Sequence, residues 1–291
     1  MPALKPRFRE IQQSDVEAIA DLLTRGFVHR SRAYWMLGLN RQGARSLPPD
    51  APRYGYLMES DGKPVGCLLL IYSTKTIDGQ ATICCNNSSW YVDPEFRNYA
   101  ALFASMTQKR KDVTYFNVTP AVPTWPILEA QGFQVYCRGL YFSVPVLSRS
   151  GRGIRVEAVT PDTVSVAGLS GDELSRLKRH AGYGCLSLVC RMADEVIPFI
   201  FFPLRKRRGI IPLPALQLGF CHDISDYVRC AGAIGRYLLR RGRPVVILDA
   251  NGPVAGLAGV YSEARGRKYF KGPGRPRLGD LADTELAIFG M

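Results

Sequence analysis

The sequence predicts an α/β fold made of two units in tandem, each a mostly antiparallel mixed sheet flanked by helices. Three observations carry that reading. With 291 residues, 46% of them hydrophobic, the chain can bury one large core or two smaller ones. A short strand followed by a helical apolar pattern occurs twice, near residue 8 and again near residue 154. Between the two halves runs LSRSGRG, Leu147 to Gly153, whose small, polar and glycine-rich composition is that of a connection. The expected organisation is a first unit over 1–147, a linker over 148–153 and a second unit over 154–291.

Taken in order, Phe8 to Ile11 reads as a strand, and Ser14-Asp-Val-Glu17 offers a capping box for a helix with Val16, Ile19, Ala20, Leu23 and Phe27 on one face. Tyr56–Glu59 and Pro64–Tyr72 are strands around the Asp61-Gly62 hairpin signal. Ile83–Val92 is the next strand, followed by a helix on which Tyr99, Leu102, Phe103 and Met106 share a face. Thr114–Val118 is a strand, 123–131 a helix, and Gly132 its stop. The second half begins with IRVEAVTPDTVSVAGL, in which Thr160 caps a helix opened by Pro161. A shift of 147 residues aligns Glu10 with Glu157, Asp15 with Asp162, Ala20 with Ala167 and Leu22 with Leu169. Strands then follow at 185–190, 196–202 and 216–221, and a helix runs over 224–240. A strand at 245–248, a helix near 254–264 and two strands at 268–270 and 285–289 complete the reading.

The formal charge of +13 suits a polyanion of any kind: nucleic acid, an anionic membrane surface or a polyphosphate-bearing small molecule. It is shared between the halves, with 17 basic against 12 acidic residues in 1–150 and 21 against 13 in 151–291, so neither half is a basic tail. Val196–Leu204, the longest nearly apolar stretch, is under half of what spans a bilayer and holds two prolines, so no membrane span is expected. The opening MPALKPRFRE has no apolar segment, which predicts a cytoplasmic protein. Eight cysteines form no CxxC, and none stands at zinc spacing from His29, His180 or His222; buried reduced thiols and no metal are expected.

The stretch V-D-P-E-F-R-N-Y-A-A-L, Val92 to Leu102, resembles the acyl-CoA-binding motif of the GNAT (N-acetyltransferase) superfamily, in which a strand ending in V-x-P leads to an R/Q-x-x-G-x-G/A turn that opens a helix. Arg97 matches the first position of that turn, with Ala100 and Leu102 at the glycine positions. The strand ending at Asn117 and the pair Gly132-Phe133 continue the resemblance, which spans about residues 7 to 143 and is weaker in the second half. It implies two tandem GNAT-like domains, the first binding acetyl-CoA or another acyl-CoA and the second a degenerate copy. By resemblance, Trp90 and Val92 pair with the pantetheine arm through their backbones. Arg97, Asn98, Tyr99, Ala100, Ala101 and Leu102 then surround the pyrophosphate, and Asn117 contacts the arm. A pyrophosphate at a helix N-terminus is held mainly by backbone N–H groups and the helix dipole, so Ala100 is tolerable; Leu102 is accommodated if it turns into the core with Tyr99 and Met106. An ordinary strand-to-helix turn is the other reading of the same residues.

In the second half the equivalent turn, Cys221 to Asp226, carries Asp223 and Asp226, which suit capping and repel a pyrophosphate. The slot where the resemblance implies a tyrosine acid for the leaving thiolate holds Leu128; Tyr261 is at a similar distance from Gly266. Arg205–Arg208 reads as a solvated hairpin tip, Lys109–Lys111 as a basic helix end, and Tyr269–Arg277 as a surface loop or a polyanion contact. The expected activity is acyl transfer from acyl-CoA to an amine or hydroxyl of a small-molecule or protein acceptor, with nucleic acid an unlikely partner. The alternative is a non-catalytic module of the same fold that holds nucleic acid or another polyanion.

Overall fold

The computed structural model describes residues 5–77, 79–149, 151, 153–193, 195–204, 207–208, 211–212 and 214–290. In chain order these form β1 (Arg7–Glu10), α1 (Val16–Gly26), α2 (Arg32–Gly43), β2 (Gly55–Ser60), β3 (Lys63–Ile77), β4 (Gln80–Val92), α3 (Ala100–Thr107), β5 (Val113–Asn117), α4 (Trp125–Ala130), β6 (Gln134–Cys137) and β7 (Gly139–Ser143). There follow β8 (Arg155–Val159), α5 (Gly171–Gly182), β9 (Leu186–Arg191), β10 (Val196–Pro203), β11 (Arg207–Arg208), β12 (Ile211–Pro212), β13 (Ala215–Phe220), α6 (Ile224–Leu239), β14 (Val245–Ala250), β15 (Gly259–Ser262), β16 (Lys268–Lys271) and α7 (Glu285–Ile288). The expected α/β class holds: there are two mixed seven-stranded sheets, ordered β1-β2-β3-β4-β5-β16-β6 and β15-β7-β14-β13-β10-β9-β8.

The division of the chain differs from the expected 1–147 and 154–291. One compact unit runs to Gln134 and takes in Tyr269–Pro276 and Asp283–Gly290; the other comprises Val135–Lys268 and Arg277–Ala282. The cause is an exchange of strands that no local composition announces. β7, which precedes the expected linker, pairs with β14 and β15 of the second sheet, whereas β16 pairs with β5 of the first. Residues 150 and 152 of the expected linker, and Arg205 and Lys206 of the basic run, lie outside the described residues.

In the first unit the apolar face of α1 buries Val16, Ile19, Ala20, Leu22 and Leu23 against alternate residues of β2 and β3, among them Leu57, Cys67, Leu69 and Ile71. Helix α2, which sequence periodicity did not reveal, adds Trp35 and Leu39; its cap is Ser31, whose hydroxyl accepts from the amide of Tyr34 at 3.2 Å. The expected strand at 285–289 is the short helix α7, and Ile288 and Phe289 close this core. Among the contacts that hold that segment are Arg45 to Asp283 at 2.9 Å, Arg41 to the carbonyl of Ile288 at 3.1 Å, and Tyr34 to the carbonyl of Gly290 at 3.2 Å.

In the second unit, Phe199, Phe201, Leu216, Leu218, Val246 and Leu248 pack under the Tyr227–Leu238 face of α6. The helix expected after Thr160 does not form. The hydroxyl of Thr163 instead accepts from the Thr160 amide at 2.9 Å, and the helix starts at Gly171 behind a Ser170/Glu173 capping box. The helix expected near 254–264 is also absent: Gly256 sits at φ +85°, and β15 lies against β7, where a Cβ on Gly259 would be 2.2 Å from the carbonyl oxygen of Phe142. The exchange and the displaced helix limit the 147-residue repeat to its opening strands, β1 and β8, each at one edge of its sheet.

Candidate active site

β4 and β5 are parallel neighbours from Ile83↔Val113 to Asn86↔Phe116, and there the ladder ends. β4 continues to Val92 paired with β3, and among the described residues its other edge beyond Asn86 has no strand partner. At this point β4 also bulges: Leu68 faces Trp90 and Leu70 faces Asn87, so Ser88 and Ser89 together oppose Leu69. Parallel strands that part in this way leave a wedge between them. A cleft of about 230 Å³ fills it, walled by Ser88–Trp90 on the β4 side and by Asn117, Thr119–Ala121 and α4 on the β5 side.

The wedge is equipped with polar groups. The Ser88 hydroxyl and the Trp90 indole N–H are buried with no hydrogen-bond partner among the described residues, an arrangement that costs about 1–3 kcal/mol each unless a ligand or water satisfies it. Asn117 Oδ1 accepts from the amide of Thr119 at 3.2 Å, which fixes the chain as it leaves β5. Leu128 of α4, at the slot where a tyrosine is implied, is buried in the cleft wall.

The turn after β4 is less open than expected. A 3-10 helix over Pro94–Tyr99 precedes α3, so the Phe96 amide is spent on the carbonyl of Asp93 at 3.0 Å and the Ala100 amide on that of Arg97. Asp93 starts this helix and is held by Arg25 at 2.8 Å and by the Tyr91 hydroxyl at 3.0 Å. Burial and the bond to Asp93 both push the Tyr91 phenol up. The condition that Leu102 turn into the core with Met106 is not met: they are 53% and 38% exposed, and of the expected Tyr99/Leu102/Phe103/Met106 face α3 buries Phe103, together with Ala104 and Thr107. A three-residue 3-10 period ahead of α3 shifts the phase of the helix relative to a continuous α-helical reading.

The structure thus brings Trp90 and Asn117 together in the cleft. Val92 is buried in β4 opposite Gly66. Arg97, Asn98, Ala101 and Leu102 are exposed, and Tyr99 and Ala100 half-buried, on the turn beyond it. Sequence reasoning missed Phe27, Ser88, Ser89, Thr119, Thr124 and Glu285. The Ser88-Ser89 pair, small and polar inside a β-branched and cysteine-rich strand, was a legible bulge signal; Glu285 carried none.

Outside the cleft, Cys85, Asp223 and Tyr261 have partners or surroundings that account for them. Burial pushes the thiol of Cys85 well up, which makes it inert. Asp223 caps α6 by accepting from the Ser225 amide at 2.7 Å, and the Tyr261 hydroxyl donates to Glu263 at 3.0 Å. Among the described residues no helix is long and apolar enough to cross a membrane.

No protein-family model matches the chain, and no curated protein matches it in sequence. Solved structures do match in fold. A GCN5-related N-acetyltransferase from Anabaena variabilis aligns over 91% of this chain and 72% of its own, at 12% identity and a TM-score of 0.58. One from Kribbella flavida aligns over 91% and 70% at 12% identity with a TM-score of 0.55. Eis1 from Mycobacterium abscessus aligns over 95% and 74% at 12% identity with a TM-score of 0.52. At that identity the likeness is one of fold, and the chain therefore has the GNAT fold, built on two mixed sheets.

Proposed function

We propose that the protein is an acyltransferase that moves an acyl group, acetyl in the first instance, from acyl-CoA to an amine or hydroxyl acceptor. The observation that carries the reading is the wedge between β4 and β5. It offers an unpaired strand edge to an extended, amide-bearing arm, with two unsatisfied donors, Ser88 and Trp90, beside it. In this reading the backbones of Trp90 and Val92 pair with the pantetheine amides and the Asn117 NH₂ binds an arm carbonyl. The turn Arg97–Leu102 faces the pyrophosphate, drawn there by the Arg97 guanidinium and the net charge of +13 more than by open amides. Bound acyl-CoA supplies an activated thioester carbonyl; the chain's part is to align it with the acceptor and to exclude water.

The test is calorimetric titration of acetyl-CoA and a longer acyl-CoA into the wild type and Leu102→Glu. Residue 102 is exposed, so the variant folds, and a carboxylate there opposes a pyrophosphate by about 1 kcal/mol per charge pair in a water-like dielectric. Two such pairs weaken binding roughly tenfold or more. A wild type that binds no acyl-CoA refutes the reading. Leu128 in the slot of the tyrosine acid favours a second reading, a non-catalytic module that holds a polyanion on its basic surface. It predicts steeply salt-dependent polyanion binding and no acyl transfer.

A further inference from the structure

The positive charge of the second unit is concentrated in two stretches of sequence. Residues 135–156 and 227–248 together hold nine arginines and no acidic residue. Both belong to the second unit, and they meet where α6 packs on the 3-10 turn Pro145–Leu147. The approach is so close that a Cβ on Gly235 would stand 2.1 Å from the amide nitrogen of Val146 and 2.4 Å from the carbonyl carbon of Pro145. Leu147, next in the turn, is 73% exposed. Leu239, one helical turn beyond Gly235 on the same side of α6, is 49% exposed.

The arginines of α6 differ from one end to the other. Arg229, near the start, is neutralised by Glu195 at 3.0 Å and by Asp226 at 2.7 Å. At the other end the side chains of Arg240 and Arg243 have no partner among the described residues. Arg241 between them lies over the Tyr237 ring, 3.6 Å from its centroid, and donates to the Tyr237 carbonyl at 3.2 Å. A helix C-terminus favours cations, which accounts for one or two of them. It does not account for two exposed leucines, or for a neighbouring turn whose flanking sequence also lacks any acid.

We propose that the C-terminal end of α6 and the Pro145–Leu147 turn form a docking surface for an anionic lipid membrane. Arg240 and Arg243 bind lipid phosphates, and Leu147 and Leu239 enter the boundary between headgroups and acyl chains. The leucines decide between a membrane and a nucleic acid, both of which present phosphodiesters. A leucine offers a base neither a hydrogen bond nor a stacking face, whereas at a bilayer its side chain leaves water. The long arginine stem suits the same boundary, lying along apolar surface while the guanidinium stays at the phosphates. Attachment is peripheral, through side chains on a folded unit; among the described residues no helix is long and apolar enough to cross a membrane. The proposal goes beyond the acyltransferase reading and does not depend on it.

The test is co-sedimentation of the full chain with vesicles of phosphatidylcholine alone and of phosphatidylcholine with one third phosphatidylglycerol, at low and at high salt. A duplex DNA fragment is titrated in parallel. The wild type should bind the anionic vesicles at low salt, leave them at high salt, and not bind the neutral ones. Arg240→Gln with Arg243→Gln should weaken vesicle binding about 30-fold, at about tenfold per 1.4 kcal/mol and roughly 1 kcal/mol for each arginine at the surface. Leu147→Gln with Leu239→Gln, which keeps every charge, should weaken it about tenfold and leave any DNA binding unchanged. Both leucines are exposed, so that variant folds, and the comparison of the two vesicle types needs no variant. No binding to anionic vesicles, equal binding to neutral ones, either double variant within twofold of the wild type, or DNA bound more tightly than the vesicles would overturn the proposal.

Discussion

Gly38→Ala tests the docking of the segment that carries Glu285. Gly38 lies on the buried side of α2, and a Cβ there would sit 1.9 Å from Cδ1, 2.2 Å from Cε1 and 2.5 Å from Cγ of Phe289. No bond rotation relieves three such contacts with one ring, so the ring must leave its place. Phe289 is 3% exposed and lies 5.8 Å from the Trp35 ring and 6.2 Å from that of Tyr34. Losing that burial costs about 1.5–3 kcal/mol, and the aromatic pairing about 0.5–1.5 more. Alanine in a helix returns roughly 0.8–1 kcal/mol over glycine. The net is a loss of about 1–4 kcal/mol, a melting point lower by several degrees, and faster amide exchange over residues 284–290. Differential scanning calorimetry and hydrogen exchange with peptide resolution read both. In a Phe289→Ala background the clash is gone, and Gly38→Ala should become stabilising by about 1 kcal/mol; that reversal separates the ring from any other cause. A single variant that melts at or above the wild-type temperature with unchanged exchange over 284–290 would refute the reasoning.

Two further outcomes concern pH. Lys268 and Asp249 form an ion pair at 2.9 Å with side chains 4% and 1% exposed, and burial pushes the Asp249 carboxyl up against the pull of the ammonium. Lys268→Met should cost about 3–5 kcal/mol at pH 7. The unfolded aspartate ionises near pH 3.9 while the buried one resists, so the penalty grows as pH rises above that value and shrinks below it; urea melts at pH 3.5 and 7 with equal penalties would contradict this. Arg9 bonds Asp15 at 2.6 Å and Glu59 at 2.8 Å, and the bond from Arg9 holds the Asp15 carboxyl below its usual range. A carboxyl depressed by folding contributes above its unfolded pKa and loses that contribution as pH falls through its folded one. Arg9→Leu should therefore cost about 1 kcal/mol at pH 7, the two groups being part-exposed, and progressively less as pH falls below the ordinary aspartate range; a penalty that does not shrink on acidification would show that packing, not charge, is at work.

The local part of this fold was legible because local physics writes it. The α1 face repeats at helical spacing, Asp61 takes φ +49° and Gly62 φ +73° in the hairpin turn their identities announce, and Pro94 follows the end of β4. The misplaced elements each have a local rival that won. Thr160 bonded Thr163 rather than opening a helix, and Ser170-x-x-Glu173 supplied a stronger cap ten residues later. Phase was lost at α3, where an unforeseen 3-10 stretch turned Leu102 outward. What no local rule reaches is the exchange of β7 and β16 and the arrival of α7. The sequence therefore revealed the two sides of the cleft, at Trp90 and Asn117, and not the carboxylate that stands between them.

A single side chain links the opening of the wedge to the placing of that carboxylate. Asn86 is fully buried at the last paired position of the β4/β5 ladder. Its Nδ2 donates to the carbonyls of Phe116 and of Asn87, both at 3.3 Å, and its Oδ1 accepts from the Glu285 amide at 2.9 Å. A hydrophobic residue there would fill the space and leave a strand carbonyl and a helix amide unsatisfied, at about 1–3 kcal/mol each. An aspartate would keep the acceptor and lose both donors. A carboxamide side chain meets both demands, and glutamine, longer by a methylene, would carry the amide past these partners. The geometry of the cleft and the position of Glu285 are thus not independent features. The residue that ends the ladder is the one that receives α7, so the cleft gains its carboxylate only when β5 has found β4 and a segment 199 residues from Asn86 has come back to meet them. Closing so long a loop adds little to stability cost but slows folding, so this side of the cleft is expected to be completed after the local β3/β4 hairpin has formed.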